Sequence, residues 1–497
     1  MGAATHTQTT RLHWRAGGFF ALALIAFAPR AFAVRCSNPD NLCRGNPCVT
    51  KALEVEPSCT VDFGNRDLVI GGTLTVPNGG TLTLRARTID VRRAIVARHA
   101  TRFQGMGGKV NLIATEDVTV HWRIDASART VPGEIHLTAG SDVRLFGRLR
   151  AATNGPNPQA DGGVISVDAG GVILSVGLRA RIRADGAADT RGGTVTLSAA
   201  SGVSLQGRVR ASGGTGGSIA VVSTNGAVSV AQPIDARGRK GSGGSIALFA
   251  ASGPLNVLER VQADGQGLGG TLYLIGGGAV STFASVSAGS SPATGTGGNV
   301  IVASNGDVTL REPVIADGNV GGTIQAISTG GALQILSPFV ARGKSGAGGQ
   351  VTLRAGTTAT VDSNVDADGG SAGGAVSLDG RTVEVTNRGG LFARGDIGGT
   401  IEVSGNSVTV APGAKVLVDG DVPGGRIRFD ATAGDLTLSG DFRARGDGGR
   451  IVGAASHSLV ADGMFAARGN GCIGLSAGAT LDISAGDFDV PVLMSCP

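Results

Sequence analysis

The amino-acid sequence predicts an all-β fold: a single-stranded, right-handed parallel β-helix with coils of about 26 residues and disulfide-bonded end caps. Three observations carry this. A Gly-Gly-x-apolar motif recurs along the chain at a near-constant interval. Between recurrences, apolar and polar residues alternate with the period of a strand that buries one face. All six cysteines lie near the two ends.

The second glycine of the motif falls at Gly108, Gly163, Gly193, Gly217, Gly244, Gly270, Gly298, Gly322, Gly349, Gly374, Gly399, Gly425 and Gly449. Variants occur at Gly133 and Gly471. Fixed-period self-similarity of this size marks a repeat architecture. One repeat shows the physics. Val195, Leu197 and Ala199 alternate with polar residues, and Ser201-Gly202 turns the chain. Val203 and Leu205 form a second short alternation, Gln206-Gly207 a second turn, and Val209 and Ala211 a third alternation. Three short strands and three turns make one coil of a parallel β-helix, in which each strand pairs with its counterpart one coil away. No hexapeptide repeat of the left-handed kind is present, so a right-handed coil is expected.

The third strand is the most regular. It reads apolar-x-Ala-x-Gly, as in Val209-Arg210-Ala211, Val261-Gln262-Ala263, Val365-Asp366-Ala367 and Phe442-Arg443-Ala444. The alanine is expected to point inward at a tight corner. The glycine after it is expected to supply backbone angles closed to other residues.

Four segments are expected. Residues 1–33 read as a secretory signal: basic residues precede an apolar run from Gly17 to Ala28, and Ala31-Phe32-Ala33 has the pattern of a cleavage site. Residues 34–60 are expected to cap one end, residues 61–470 to form the solenoid, and residues 471–497 to cap the other. The run is short for a membrane span, and no other stretch reads as a transmembrane anchor. The location expected is outside the cytoplasm, secreted or on the cell surface, with the periplasm as a further compartment.

Removing Arg11, Arg15 and Arg30 with the signal leaves 40 basic against 38 acidic residues. That near-balance argues against nucleic acid as partner. The cysteines read as disulfides of an exported chain. The two groups lie too far apart along a solenoid to be bridged. Cys472 therefore pairs with Cys496, and Cys36, Cys43, Cys48 and Cys59 can pair in three ways. Their spacings contain no Cys-x-x-Cys of the zinc kind.

The exported start, the repeated Gly-Gly-x-Val/Ile-x-Leu/Val strands and the Val/Ile-x-Ala-x-Gly corner resemble secreted right-handed β-helix proteins of bacteria. These are proteins of the filamentous-haemagglutinin and autotransporter-passenger type. The resemblance covers about residues 61–470 and is architectural. It implies an adhesin-like role. Paired Asn-Pro motifs of a two-partner-secretion domain and a C-terminal run of barrel strands are absent from the sequence.

Polysaccharide lyases and hydrolases also use this fold, so clustered carboxylates matter. Asp362, Asp366 and Asp368 are the strongest cluster. Asp366 and Asp368 flank inward Ala367 and are expected to point out, close together. Against a catalytic groove, Trp122 and Tyr273 are the only Trp and Tyr after the signal. No phosphate loop, Gly-x-Ser-x-Gly, His-Glu-x-x-His or calcium repeat is present, so no cofactor or metal is expected.

The position after the corner alanine reads Asp317, Arg342, Asp368, Arg394, Asp419, Arg445 over successive coils. Stacked about 4.8 Å apart, these form a structural ladder of alternating charge. Residues 85–150 carry twelve basic and six acidic residues, and residues 401–497 carry seven and eleven. Arg85, Arg87, Arg92, Arg93, Arg98 and Arg102 in the basic coils are the expected anion-binding residues. Insertions around Thr153–Asp161 and Gly186–Arg191 lie beside them. The function expected is a non-enzymatic exported structural or adhesin-like solenoid whose partner is an acidic polysaccharide or cell-surface component. A polysaccharide-lyase-like enzyme is the alternative.

Overall fold

The computed structural model describes residues 33–98, 105–153, 160–493 and 496. The signal segment, apart from Ala33, lies outside them. The chain winds as a parallel β-solenoid of about 17 turns. Its coils are about 25 residues apart.

Most coils carry three strands, as the alternation predicts; in two, the first and second strands run on as one, Ala375–Val385 and Thr400–Val410. In one coil they are Thr194–Ala199, Gly202–Leu205 and Val209–Arg210. Each pairs in parallel with the next coil: Val195 lies opposite Ile219, Val203 opposite Val228 and Val209 opposite Ile234. The first and second strands of all coils belong to one continuous sheet, and the third strands form another.

The inward side chains stack along the axis. Val195, Leu197, Val203, Leu205 and Val209 are buried, and the corner alanines Ala211, Ala236, Ala263, Ala288, Ala316, Ala341, Ala367 and Ala393 are fully buried. Each buried Val or Leu contributes about 1.5–3 kcal/mol. Near the last coils phenylalanines take over the column. Phe429 meets Phe442 edge-on at 5.4 Å, and Phe442, Phe465 and Phe488 stack at 4.7 and 4.9 Å.

The glycines act differently from expectation. Gly213, Gly343 and Gly369, after the corner alanine, are not among the positive-φ residues, whereas Gly446 is, at φ 115°. Their need is close backbone approach: a Cβ on Gly343 would sit 2.0 Å from the Ala347 carbonyl oxygen. The Gly-Gly motif has the same cause. A Cβ on Gly244 would meet the Gly217 carbonyl oxygen, one coil back, at 2.1 Å.

Strand pairing runs past both expected cap boundaries. Cys48–Val49, Leu53–Glu54 and Ser58–Asp62 already pair with the following coil. At the other end Cys472–Ala477, Thr480–Asp482 and Asp487–Phe488 pair with the preceding one. The end segments therefore contain coils, closed by disulfides. Cys36 pairs with Cys59, Cys43 with Cys48, and Cys472 with Cys496. Three disulfides suit an oxidising environment. Among the described residues no helix is long and apolar enough to cross a membrane.

Candidate functional site

The outward face of the sheet formed by the third strands is built from three positions per coil, because side chains alternate along a strand. In four successive coils it reads Arg123-Asp125-Ser127, Arg148-Arg150-Ala152, Arg181-Arg183-Asp185 and Arg208-Arg210-Ser212. Parallel pairing sets them in register: Arg123 lies opposite Arg148, Arg150 opposite Arg183, and Arg183 opposite Arg210. Seven arginines thus share a face with two aspartates.

The aspartates are buried and engaged. Asp185 binds Arg183 and lies 3.3 Å from Arg210. Asp125 lies 3.8 Å from Arg98 of the preceding coil. Burial lowers the Arg150 pKa; Asp125 opposes this, and the positive charges of Arg183 and Arg98 add to it. The outermost column, Arg123, Arg148, Arg181 and Arg208, is exposed. Among the described residues none of these four has a carboxylate within 4.0 Å.

An aromatic hollow adjoins this column at the corner between second and third strands. The His121 ring stacks on Phe146 of the next coil at 5.0 Å and 6°. Trp122 is 52% exposed. His121, Trp122, Arg123, Phe146, Gly147, Arg148 and Arg179 line a hollow of about 480 Å³. One further coil supplies Arg179. There the link between second and third strands spans residues 176–181, against 206–208 in the coil after it. Half of the extra length of this repeat therefore sits here, and the rest lies near Gly186–Arg191 as expected. Leu178 at its tip is 67% exposed. Flat aromatic surface beside unpaired guanidinium groups suits a ring-shaped ligand that carries acid groups.

Three of the six arginines expected to bind anions are otherwise occupied. Arg87 pairs with Asp67 at 2.6 Å and Glu116 at 3.8 Å, Arg92 with Asp90 at 2.7 Å, and Arg98 with Asp125. Arg85 and Arg93 are exposed, and Arg102 lies outside the described residues, as does most of the Thr153–Asp161 insertion. The basic surface is displaced toward later coils. Its signal was legible: arginine precedes the apolar residue of the apolar-x-Ala motif at Arg123, Arg148, Arg181 and Arg208. Arg179, Arg181 and Arg208 lie beyond the 85–150 window and were missed.

The carboxylate cluster is not assembled as expected. Asp366 is 2% exposed. It binds Arg342 Nε at 2.6 Å and accepts the Asp368 amide at 3.0 Å. Asp362 sits at the other corner, bonded to Thr386 Oγ1 at 2.5 Å. Outward pointing does not mean exposure here, because neighbouring coils crowd the middle position.

The ladder positions do stack. Backbone amides one residue beyond them bond in series: Gly318 to the Arg342 carbonyl, Gly343 to Asp368, Gly369 to Arg394, Gly395 to Asp419 and Gly420 to Arg445. Arg394 pairs with Asp368 at 2.5 Å. The Arg445 amide donates to Asp419 Oδ1 at 3.1 Å. Arg342 turns instead to Asp366 in the adjacent column.

Gly289 leaves a gap in the column between Asp264 and Asp317, and a Cβ there would lie 2.6 Å from Asp317 Oδ1 and 3.7 Å from Asp264 Oδ1. Asp264 accepts hydrogen bonds from Ser287 Oγ at 2.5 Å and the Gly289 amide at 2.9 Å. Burial raises the pKa of both carboxyls, and the Asp317 charge adds to the effect on Asp264. Both border an open hollow of about 510 Å³.

The fold and this face define a class, a disulfide-closed parallel β-solenoid with an arginine-rich stretch on the sheet of its third strands. Comparison with protein-family models, curated proteins and solved structures returned no match.

Proposed function

We propose that the protein is a non-enzymatic, exported solenoid of adhesin-like type, secreted or held at the cell surface, that binds acidic glycans on the sheet of its third strands. The observation that carries this reading is the column Arg123, Arg148, Arg181 and Arg208, which has no carboxylate partner among the described residues, beside the exposed ring of Trp122. Like charges stacked in adjacent strands oppose folding. The same sheet avoids that cost further on, where acids and bases alternate from Asp317 to Arg445. A face that keeps its excess charge is built for an anionic partner.

A second reading is a carbohydrate-active, lyase-like enzyme. Asp264 and Asp317 favour it: two carboxyls with raised pKa values flank a gap above an open hollow, as a proton donor and acceptor would. Incubation of the chain with acidic and neutral polysaccharides separates the two. Retention on acidic polymers, weakened by salt and without cleavage, is expected. Cleavage that Asp264→Asn or Asp317→Asn abolishes would install the second reading. No retention on any acidic polymer would remove the first.

A further inference from the structure

Resting on the glycan-binding reading, we infer that the ligand is a linear carboxylated or sulfated polysaccharide lying parallel to the solenoid axis, with successive acid groups on Arg123, Arg148, Arg181 and Arg208 and one sugar ring against Trp122.

The direction follows from the register. Arg123 lies directly opposite Arg148. The Arg181 carbonyl accepts the Leu149 amide at 2.9 Å, and the Arg208 carbonyl accepts the Ile182 amide at 3.0 Å. The four arginines therefore stand at, or immediately before, the start of equivalent strands in four consecutive coils. Adjacent strands are about 4.8 Å apart, so the column is about 14 Å long. It runs along the axis, and a chain laid across the coils would meet only one of the four.

The column has a defined length. The next equivalent position is Pro233, whose carbonyl accepts the Val209 amide at 3.2 Å. On the other side the position before Ile95, opposite Ile124, is Ala94. A neutral residue bounds each end, so the track offers four charged subsites.

The aromatic group stands at one end. Trp122 immediately precedes Arg123, and the hollow it lines reaches only Arg123, Arg148 and Arg179. Arg181 and Arg208 lie outside this hollow. A polymer reaching them has left the aromatic surface and is held by charge alone. This distribution favours a polysaccharide over a single-stranded nucleic acid, which is held by aromatic platforms for successive bases. Carboxylate and sulfate both accept the forked hydrogen bonds of arginine, so both chemistries fit.

The experiment is calorimetric titration of the full chain with size-defined oligogalacturonates and heparin oligosaccharides, from two to eight sugars. Affinity is expected to rise with length and level off once the oligomer is long enough to span all four arginines. The double variant Arg181→Ser/Arg208→Ser is expected to lose at least tenfold for the longer oligomers and nothing for the disaccharides. Its salt dependence should weaken by about two charges. Both arginines are exposed, and an unchanged melting temperature checks the fold. Equal affinity at all lengths, with the double variant unaffected, overturns the axial track while leaving a local site at Trp122. Absence of binding to either oligosaccharide series overturns both readings. Single-stranded DNA of matched charge binding as tightly as the oligosaccharides overturns the polysaccharide assignment. Which series binds more tightly distinguishes carboxylate from sulfate.

Discussion

Arg394 reaches back one coil to Asp368 with three hydrogen bonds: its amide to Oδ1 at 2.6 Å, and Nε and Nη2 to Oδ2 at 3.0 and 2.5 Å. The pair ties together residues 26 positions apart and fixes the register of two third strands. The bonded carboxylate of Asp368 raises the Arg394 pKa, and the charges of Asp366 and Asp419 reinforce it. Arg394→Asp would therefore align acids at 368, 394 and 419, with Asp366 beside them. Loss of the pair and the new repulsion should cost on the order of 1 kcal/mol, because the site is partly exposed. The expected drop in thermal midpoint should shrink in high salt. An unchanged midpoint would show that the ladder does not contribute to stability.

The aromatic hollow makes a separate claim. Trp122 is half exposed and belongs to no core column. Trp122→Ala should leave the melting temperature unaltered and weaken binding of acidic oligosaccharides roughly tenfold, about 1.4 kcal/mol. The loss should appear equally with short and long oligomers, since the ring contacts one sugar. Affinity unaffected by the change would remove Trp122 from the site.

Phe442 tests the aromatic column of the last coils. It packs between Phe429 and Phe465. Phe442→Ala should cost about 3–5 kcal/mol. Because each coil touches only its neighbours, the damage should stay local. Hydrogen exchange is expected to speed up over residues 426–466 and to stay slow near Val195 and Val221. Uniform loss of protection would mean that the solenoid unfolds as one unit.

The Cys472–Cys496 disulfide joins the first strand of the final coil to the chain end. Closing a loop of this size is worth about 3 kcal/mol. Cys472→Ser/Cys496→Ser should release residues 480–493 to rapid exchange at temperatures where the central coils remain protected. Protection of that coil in the variant would mean that strand pairing alone holds it.

Asp264 carries a pH prediction. Burial raises its pKa above the ordinary 3.8, and that of Asp317 likewise. The folded chain therefore holds these protons more tightly than the unfolded chain. The associated stability is fully present below about pH 3.8 and is lost as pH rises through the raised values. Asp264→Asn keeps an acceptor for Ser287 and the Gly289 amide and removes the buried charge. The variant should melt above the parent at pH 7, with the gain fading as pH falls toward 3. A gain of equal size at both pH values would refute the linkage.

The sequence by itself determined the coil. Glycine pairs at a near-constant interval, alternating apolar residues and the corner alanine are local features, and each follows from backbone geometry within one repeat. The Cys472–Cys496 pairing was also legible, because distance along the solenoid left that pair no other partner. Tertiary structure decided the rest. The partners of the first four cysteines depend on how the leading loop folds over the first coil. Whether an arginine is paired depends on what lies one coil away, about 25 residues along the chain. Arg87 and Arg98, which read as available cations, meet Asp67 and Asp125 in this way, whereas Arg148 and Arg181 meet only other arginines in their column. Asp366 reads as an exposed acid from its place beside Ala367, yet Arg342 and the neighbouring coils enclose it. Alternation tells which side of a strand a residue faces. Only the stacking of coils sets what it faces, because that is where burial and charge pairing between distant residues are decided.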